Sequence, residues 1–179
     1  MTDAGPPLRI SRFAAADIRE ARGELGRLMT ACVNGGASIG YVLPFGQADG
    51  ESFWTEKVLP AVDQGTRLLL VAWIGQRVAG AVQLDIDTPP NQPHRAEVRK
   101  LMVDPAYRRR GIARALMAEL ESWARRLGRS LLTLDTRTGD AAEPLYASLG
   151  YLTAGTIPGY CRDTASDRFD PTTIMYKTL

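Results

Sequence analysis

Between Leu101 and Arg114 the chain reads LMVDPAYRRRGIAR: an apolar run, an Asp-Pro turn, three arginines, a glycine and the start of an amphipathic helix. The first amides of a helix have no partner within it and point outward. The helix dipole adds partial positive charge at the same end. Small residues at Gly111 and Ala113 let an anion approach that backbone, a setting that suits a pyrophosphate. Arg108, Arg109, Arg110 and Arg114 supply charge within reach of phosphate oxygens. A run of arginines alone is more often a solvated cap or a basic patch. The order strand, turn, glycine, helix is what points to a phosphate ligand. No Gly-x-x-x-x-Gly-Lys-Ser/Thr run is present, and no Gly-x-Gly-x-x-Gly follows the first strand, so two other phosphate-binding loops are excluded.

Two carboxylates fall where carboxylates are uncommon. Glu97 and Asp135 each sit on an apolar run that reads as a strand. Burial or a neighbouring like charge would make either a better base. The plainer alternatives are that Glu97 pairs with Arg99 or Arg95 at a strand edge and that Asp135 caps the following loop. Tyr146 lies on a short helix, where a core tyrosine packing through its ring is the simplest account. His94 is the single histidine, and Cys32 and Cys161 stand far apart, so no Cys/His metal site and no histidine-based nucleophile system is expected.

The elements that must position these residues can be read from periodicity. Residues 8–13 alternate as a first strand. Apolar positions from Asp17 to about Val33 recur at helical spacing and stop at Asn34-Gly35-Gly36. Residues 36–49 read as a loop and 51–62 as a second helix. Residues 67–74 and 77–86 form a hairpin across Gly75-Gln76. A strand over 96–103 precedes the phosphate-binding segment, and a helix follows over about 111–127. A buried strand over 131–135, a short helix over 141–149 and strands over 151–157 and 173–177 complete the chain. This order predicts a single mixed α/β domain over residues 1–179, with one helix crossing between the fourth and fifth strands.

The chain has 179 residues, 45% of them hydrophobic and 23% charged, as in an ordinary globular protein. Its net charge of +2 is too small to indicate nucleic-acid binding or a polybasic membrane anchor. No run is apolar for the roughly 18 residues of a membrane span. The first ten residues lack the basic head and apolar stretch of a secretory leader, so a cytoplasmic protein is expected.

Residues 96–151 resemble the core of the GNAT acetyltransferase superfamily. Its acetyl-CoA motif, Arg/Gln-x-x-Gly-x-Gly/Ala after a strand of the type Leu-x-Val-x-Pro, is matched by Leu101, Val103, Pro105 and Arg108 to Ala113. A second element, Leu-Tyr-x-x-Leu-Gly-Phe/Tyr, is matched by Leu145 to Tyr151. The runs GGASIG (35–40), AEVRKLMV (96–103), LDTRTGDAAEPLY (134–146), PGYC (158–161) and PTTIMYKTL (171–179) are similar to the tabtoxin resistance subgroup, which acetylates a β-lactam amino-acid toxin.

The resemblance implies a GNAT-type fold: a twisted, mostly antiparallel sheet of about seven strands flanked by about four helices. It implies acetyl-CoA as cosubstrate, with no metal, and an amine acceptor. Backbone groups of Leu101, Met102 and Val103 would pair with the pantetheine arm and supply the oxyanion donor. The amides from Arg109 through Gly111, Ile112 and Ala113 to Arg114 would cradle the pyrophosphate. Tyr146 would protonate the leaving thiolate, since a phenol of pKa about 10 lies slightly above a typical thiol. Glu97 and Asp135, on strands that are neighbours in the family, would face one cleft. Tyr41, Phe45 and Tyr160, from loops over 36–45 and 158–163, would line the acceptor site or be incidental surface aromatics. One departure stands out. Many members carry Asn seven residues before the motif tyrosine, whereas this chain has Gly139 followed by Asp140, so that contact is not carried over. A small-molecule amine is the preferred acceptor, with a protein amino terminus or lysine, or a non-catalytic CoA-binding module, as the competing readings. A homodimer is a further expectation from the family.

Overall fold

The computed structural model describes residues 6–179. Residues 1–5, half of the stretch read for a leader, lie outside the described residues. The elements in chain order are β1 (Leu8–Phe13), α1 (Ala15–Glu20), α2 (Arg22–Asn34), α3 (Gln47–Ser52), a π-helical stretch (Phe53–Val58), α4 (Leu59–Asp63), β2 (Arg67–Ile74), β3 (Arg77–Asp85), β4 (Arg95–Val103), a 3-10 turn (Pro105–Tyr107), α5 (Ile112–Arg126), β5 (Leu131–Arg137), α6 (Ala142–Ser148), β6 (Leu152–Arg162) and β7 (Phe169–Thr178).

The seven strands form one open sheet in the order β1-β2-β3-β4-β5-β7-β6. All neighbours are antiparallel except β4 and β5, which α5 connects as the crossover helix. The mixed α/β expectation holds. β2, RLLLVAWI, is apolar at successive positions because helices cover both faces: Leu68, Leu70 and Ala72 join one core cluster, and Leu69 and Val71 the other. On the first face α5 buries Ile112, Leu116, Met117, Leu120 and Ala124, a stripe at helical spacing. On the second face α1 to α4 bury Ile18, Leu25, Leu28, Met29, Trp54 and Val58.

Several boundaries differ from the sequence reading. The helix expected over Asp17–Val33 begins at Ala15, where the Asp17 carboxylate turns back to accept from the Ala14 amide at 2.7 Å, and it breaks at Ala21. The second helix begins four residues earlier than expected, and α3, the π-helical stretch and α4 run continuously from 47 to 63. Helices α2 and α3 touch at paired glycines: a Cβ on Gly50 would lie 2.5 Å from the Gly26 carbonyl oxygen. The segment from Pro158 is part of an edge strand, β6, whose proline needs no donor on the open side.

Two irregularities of β4 shape the site. Ala81 pairs with Met102 and Gln83 with Arg99, so Lys100 and Leu101 together oppose Val82, a β-bulge. Lys100 takes φ 52°, in the left-handed region. Towards β5, pairing stops after Arg95–Leu131, Ala96–Leu132 and Glu97–Thr133. Beyond Glu97 the two strands diverge, and β4 presents a backbone edge with no strand beside it.

Candidate active site

The segment expected to bind a phosphate begins where β4 ends. Asp104 is buried, accepts from the Ala106 amide at 2.9 Å and is held by the Arg27 guanidinium of α2. Arg27 also donates to the Val78 carbonyl at 2.6 Å. This network fixes the turn from which α5 starts. Sequence reading placed a turn at Asp104-Pro105 but not its partner 77 residues upstream. Replacing Asp104 with alanine removes one of the two carboxylates paired with Arg27, the other being Glu24 at 3.3 Å, and leaves the Ala106 amide without its acceptor, so stability falls by about 1–3 kcal/mol in urea unfolding. Acetyl-CoA affinity of the folded variant is expected to fall too; equal affinity would show that Asp104 serves stability alone.

Gly111 stands immediately before α5 with φ 77°, where a side chain is strained. A Cβ there would meet nothing within 4 Å, so the mouth above it is open. The first intrahelical bond runs from the Ala115 amide to the Gly111 carbonyl at 3.0 Å, which leaves the Ile112, Ala113 and Arg114 amides directed outward. Arg108, Arg109 and Arg110 are exposed around them. Arg110 lies over the Tyr107 ring at 5.3 Å, and Arg114 donates to the Ser148 hydroxyl of α6 at 2.8 Å. A diphosphate fits this cradle of free amides and guanidinium groups.

The widening gap between β4 and β5 leads away from this cradle. Leu101 and Val103 pack against the α5 core, and Met102 belongs to the other. On the far side, Tyr146 is 6% exposed and packs on Tyr151 with ring centroids 5.7 Å apart. Burial pushes its phenol well above the ordinary range, and the charge of Asp135 pushes it further. The two groups are thus electrostatic neighbours.

Glu97 and Asp135 both fall on the face opposite α5, since Ala96, Val98, Leu132 and Leu134 take the α5 side. Their apolar neighbours in sequence bury neither carboxylate. The Glu97 side chain is 39% exposed, and Asp135 is exposed. Alternation explains this: each is flanked by core residues in sequence yet points to the opposite, polar face. Glu97 lies 3.7 Å from Arg99, which binds Asp85 more closely at 3.0 Å. Asp135 accepts from the Thr172 hydroxyl at 3.4 Å.

The loop over 36–45 and the β6–β7 connection over 163–168 meet over this face. The Leu43 amide donates to the Thr164 carbonyl at 2.9 Å, and the Thr164 hydroxyl donates to the Ala37 carbonyl at 3.2 Å. Arg137 reinforces the junction, bonding the Gly36 carbonyl at 3.2 Å and pairing with Asp140, Asp163 and Asp170. Tyr41 and Phe45, 5.0 Å apart, line an open cavity of about 450 Å³. Phe45 is also a core residue. Tyr160 is 52% exposed on the β6 bulge and does not line that cavity. Among the described residues no group of three or more metal-ligating side chains gathers, and no helix is long and apolar enough to cross a membrane.

Comparison with known proteins agrees with this geometry. Residues 37–151 match the acetyltransferase (GNAT) family. The chain belongs to that family. N-alpha-acetyltransferase RimI of Mycobacterium tuberculosis is 40% identical over 78 residues, covering 43% of this chain and 48% of that protein. Human N-acetyltransferase 8 is 38% identical over 87 residues, covering 48% of this chain and 38% of that protein. The matches thus span less than half the length of these curated relatives. The Salmonella typhimurium protein yncA, solved with acetyl-CoA, superposes with a TM-score of 0.75 at 19% identity, over 96% of this chain and 94% of that one.

Proposed function

We propose that this protein transfers an acetyl group from acetyl-CoA to a primary amine of a small molecule while both are bound. The observation that carries this reading is the short β4–β5 ladder. It opens after three residue pairs, with the Gly111 cradle at the end of β4 and Asp135 two residues beyond the last pair. The thioester of acetyl-CoA supplies the activated acyl group. The amides of Ile112 to Arg114 hold the diphosphate, and the free edge over Leu101–Val103 orients the pantetheine arm. A backbone amide of that edge stabilises the oxygen as it gains negative charge. Asp135 and Glu97 draw the acceptor's ammonium towards the cleft and help remove its proton, since only the free amine attacks. Tyr146 returns a proton to the leaving sulfur.

A small acceptor is favoured over a protein chain by the loops, which are tied together across the polar face through Leu43, Thr164 and Ala37. The runs similar to the tabtoxin resistance subgroup favour an amino-acid-like amine. A protein amino terminus is the second reading, favoured by the name of the mycobacterial relative. Comparing CoA release with amino acids against release with short peptides separates the two. Self-association through the exposed edge strand β6 is a further part of this reading, checked by light scattering on the eluted protein.

Glu97→Gln and Asp135→Asn keep shape and remove charge. Each is expected to lower kcat/KM for the amine by about tenfold or more, with the loss shrinking as pH rises and more acceptor arrives as free amine. Full activity in both, with an unchanged pH profile, would remove the carboxylates from the mechanism.

A further inference from the structure

The polar face beside the gap carries six charged side chains: Arg67, Asp85, Glu97, Arg99, Lys100 and Asp135. Most are matched. Asp85 binds Arg67 at 2.6 Å and Arg99 at 3.0 Å, and Glu97 lies 3.7 Å from Arg99. Among the described residues, Lys100 and Asp135 form no ion pair. Of these six, one cation and one anion are left over, close enough that the Asp135 charge acts on Lys100; Arg95, farther along β4 on the same face, also makes no ion pair and donates instead to Gln92 and Thr133. Lys100 and Asp135 do not neutralise each other by direct contact.

Lys100 is mostly covered, and its ammonium lies 3.2 Å from where a Cβ of Gly40 would stand, under the loop over 36–45. Burial, and next the Arg99 charge, hold its pKa below the ordinary lysine value. Beside it in the sheet is Gln83, which pairs in register with Arg99, is 1% exposed, and has an Nε2 with no hydrogen-bond partner. The Nε of Arg67, two registers along β2, is likewise buried and unpartnered. Buried donors without partners are uncommon in folded proteins. The bulge position of Lys100, φ 52°, would be occupied at less cost by Gly or Asn. Charge, unpaired donors and backbone conformation converge on one place.

We infer that Lys100, with the Gln83 amide beside it, receives a carboxylate of the acceptor while Asp135 receives its amine, so that the preferred substrate is an amino acid. This rests on the reading of the polar face as the acceptor site. A monoanionic carboxylate balances the single lysine charge, whereas a phosphate dianion would call for a second cation at the gap, and Arg95 is held away from it by Gln92 and Thr133. Lys100 is then a specificity-determining residue. It fixes which amines enter, and it takes no part in proton transfer.

The test compares L-lysine with L-lysinamide, and L-ornithine with L-ornithinamide, because each pair differs in the carboxylate charge and keeps both amines. Binding to the CoA-loaded protein is measured by titration calorimetry, and turnover by CoA release. In the parent protein at least one acid binds roughly tenfold or more tightly than its amide, the usual size of a charge-assisted contact. Lys100→Met brings that ratio close to one, mainly through KM, and Lys100→Arg restores part of it. Comparing the ratio between parent and variant cancels the difference in amine basicity between acid and amide. Equal binding of acid and amide throughout the parent series, or a preference that survives Lys100→Met, overturns the inference. Preferential binding of an acid without CoA release would instead defeat the proposed acetyl transfer and leave the carboxylate site standing.

Discussion

Tyr146→Phe lowers kcat by about 10²-fold or more while acetyl-CoA affinity stays close to that of the parent. The substitution removes one oxygen and keeps the ring, so packing against Tyr151 is preserved and a fall in rate reports on the hydroxyl. Burial and the Asp135 charge both raise the phenol pKa. The sign of that shift has two consequences. The phenol stays protonated throughout the working pH range, so a proton is always available. It is also a weaker acid than free tyrosine, which would make donation uphill if the thiolate were in water. In the proposed mechanism the leaving sulfur departs in the same narrow gap, where loss of hydration would raise its proton affinity as well. The relevant quantity is the difference between the two acids, and a shared environment keeps that difference small. A kcat within a factor of about three of the parent would mean that Tyr146 is a core residue only, since that lies well below the effect of a general acid.

Gly111→Glu abolishes the rise in melting temperature that acetyl-CoA gives the parent. Ligand stabilisation scales with the logarithm of concentration over Kd, so loss of binding removes it altogether. Two effects combine. A side chain at φ 77° is strained by about 1 kcal/mol or more, and a carboxylate there repels the diphosphate. Gly111→Ala separates them, because its methyl group would meet nothing within 4 Å. The alanine variant loses stability but keeps most of its ligand response. If Gly111→Glu folds and still binds acetyl-CoA as the parent does, the diphosphate lies elsewhere.

Much of this was legible in the residues, and the parts that were not share a physical cause. Strand alternation, the hairpin at Gly75-Gln76 and the α5 stripe are local patterns, and each gave an element close to its observed span. The strand end, turn, glycine and helix start were legible because they are contiguous, within 14 residues. The partners of Asp104 and Arg137 were not, because they come from α2 and from loops distant in sequence. Glu97 and Asp135 stood out by their apolar neighbours in sequence, yet those neighbours occupy the opposite face of the sheet and leave both carboxylates uncovered. Lys100 gave no signal at all. A bulge in a strand interior is set by register with β3, and nothing in KLMV marks the lysine as left-handed. Tyr160 was expected in a loop over 158–163, whereas edge strand β6 continues through to Arg162 with a bulge between Ile157 and Cys161.

The central claim is that acetyl-CoA held at the Gly111 cradle acetylates a small amine on the polar face. The most direct measurement incubates the purified protein with acetyl-CoA and a panel of amino acids, simple amines and short peptides, following CoA release and the mass of each acceptor. The account predicts CoA release that depends on the acceptor, an amino acid gaining the mass of one acetyl group, and loss of both in Gly111→Glu. Acetylation confined to peptides, or CoA release equal with and without any amine, would contradict it.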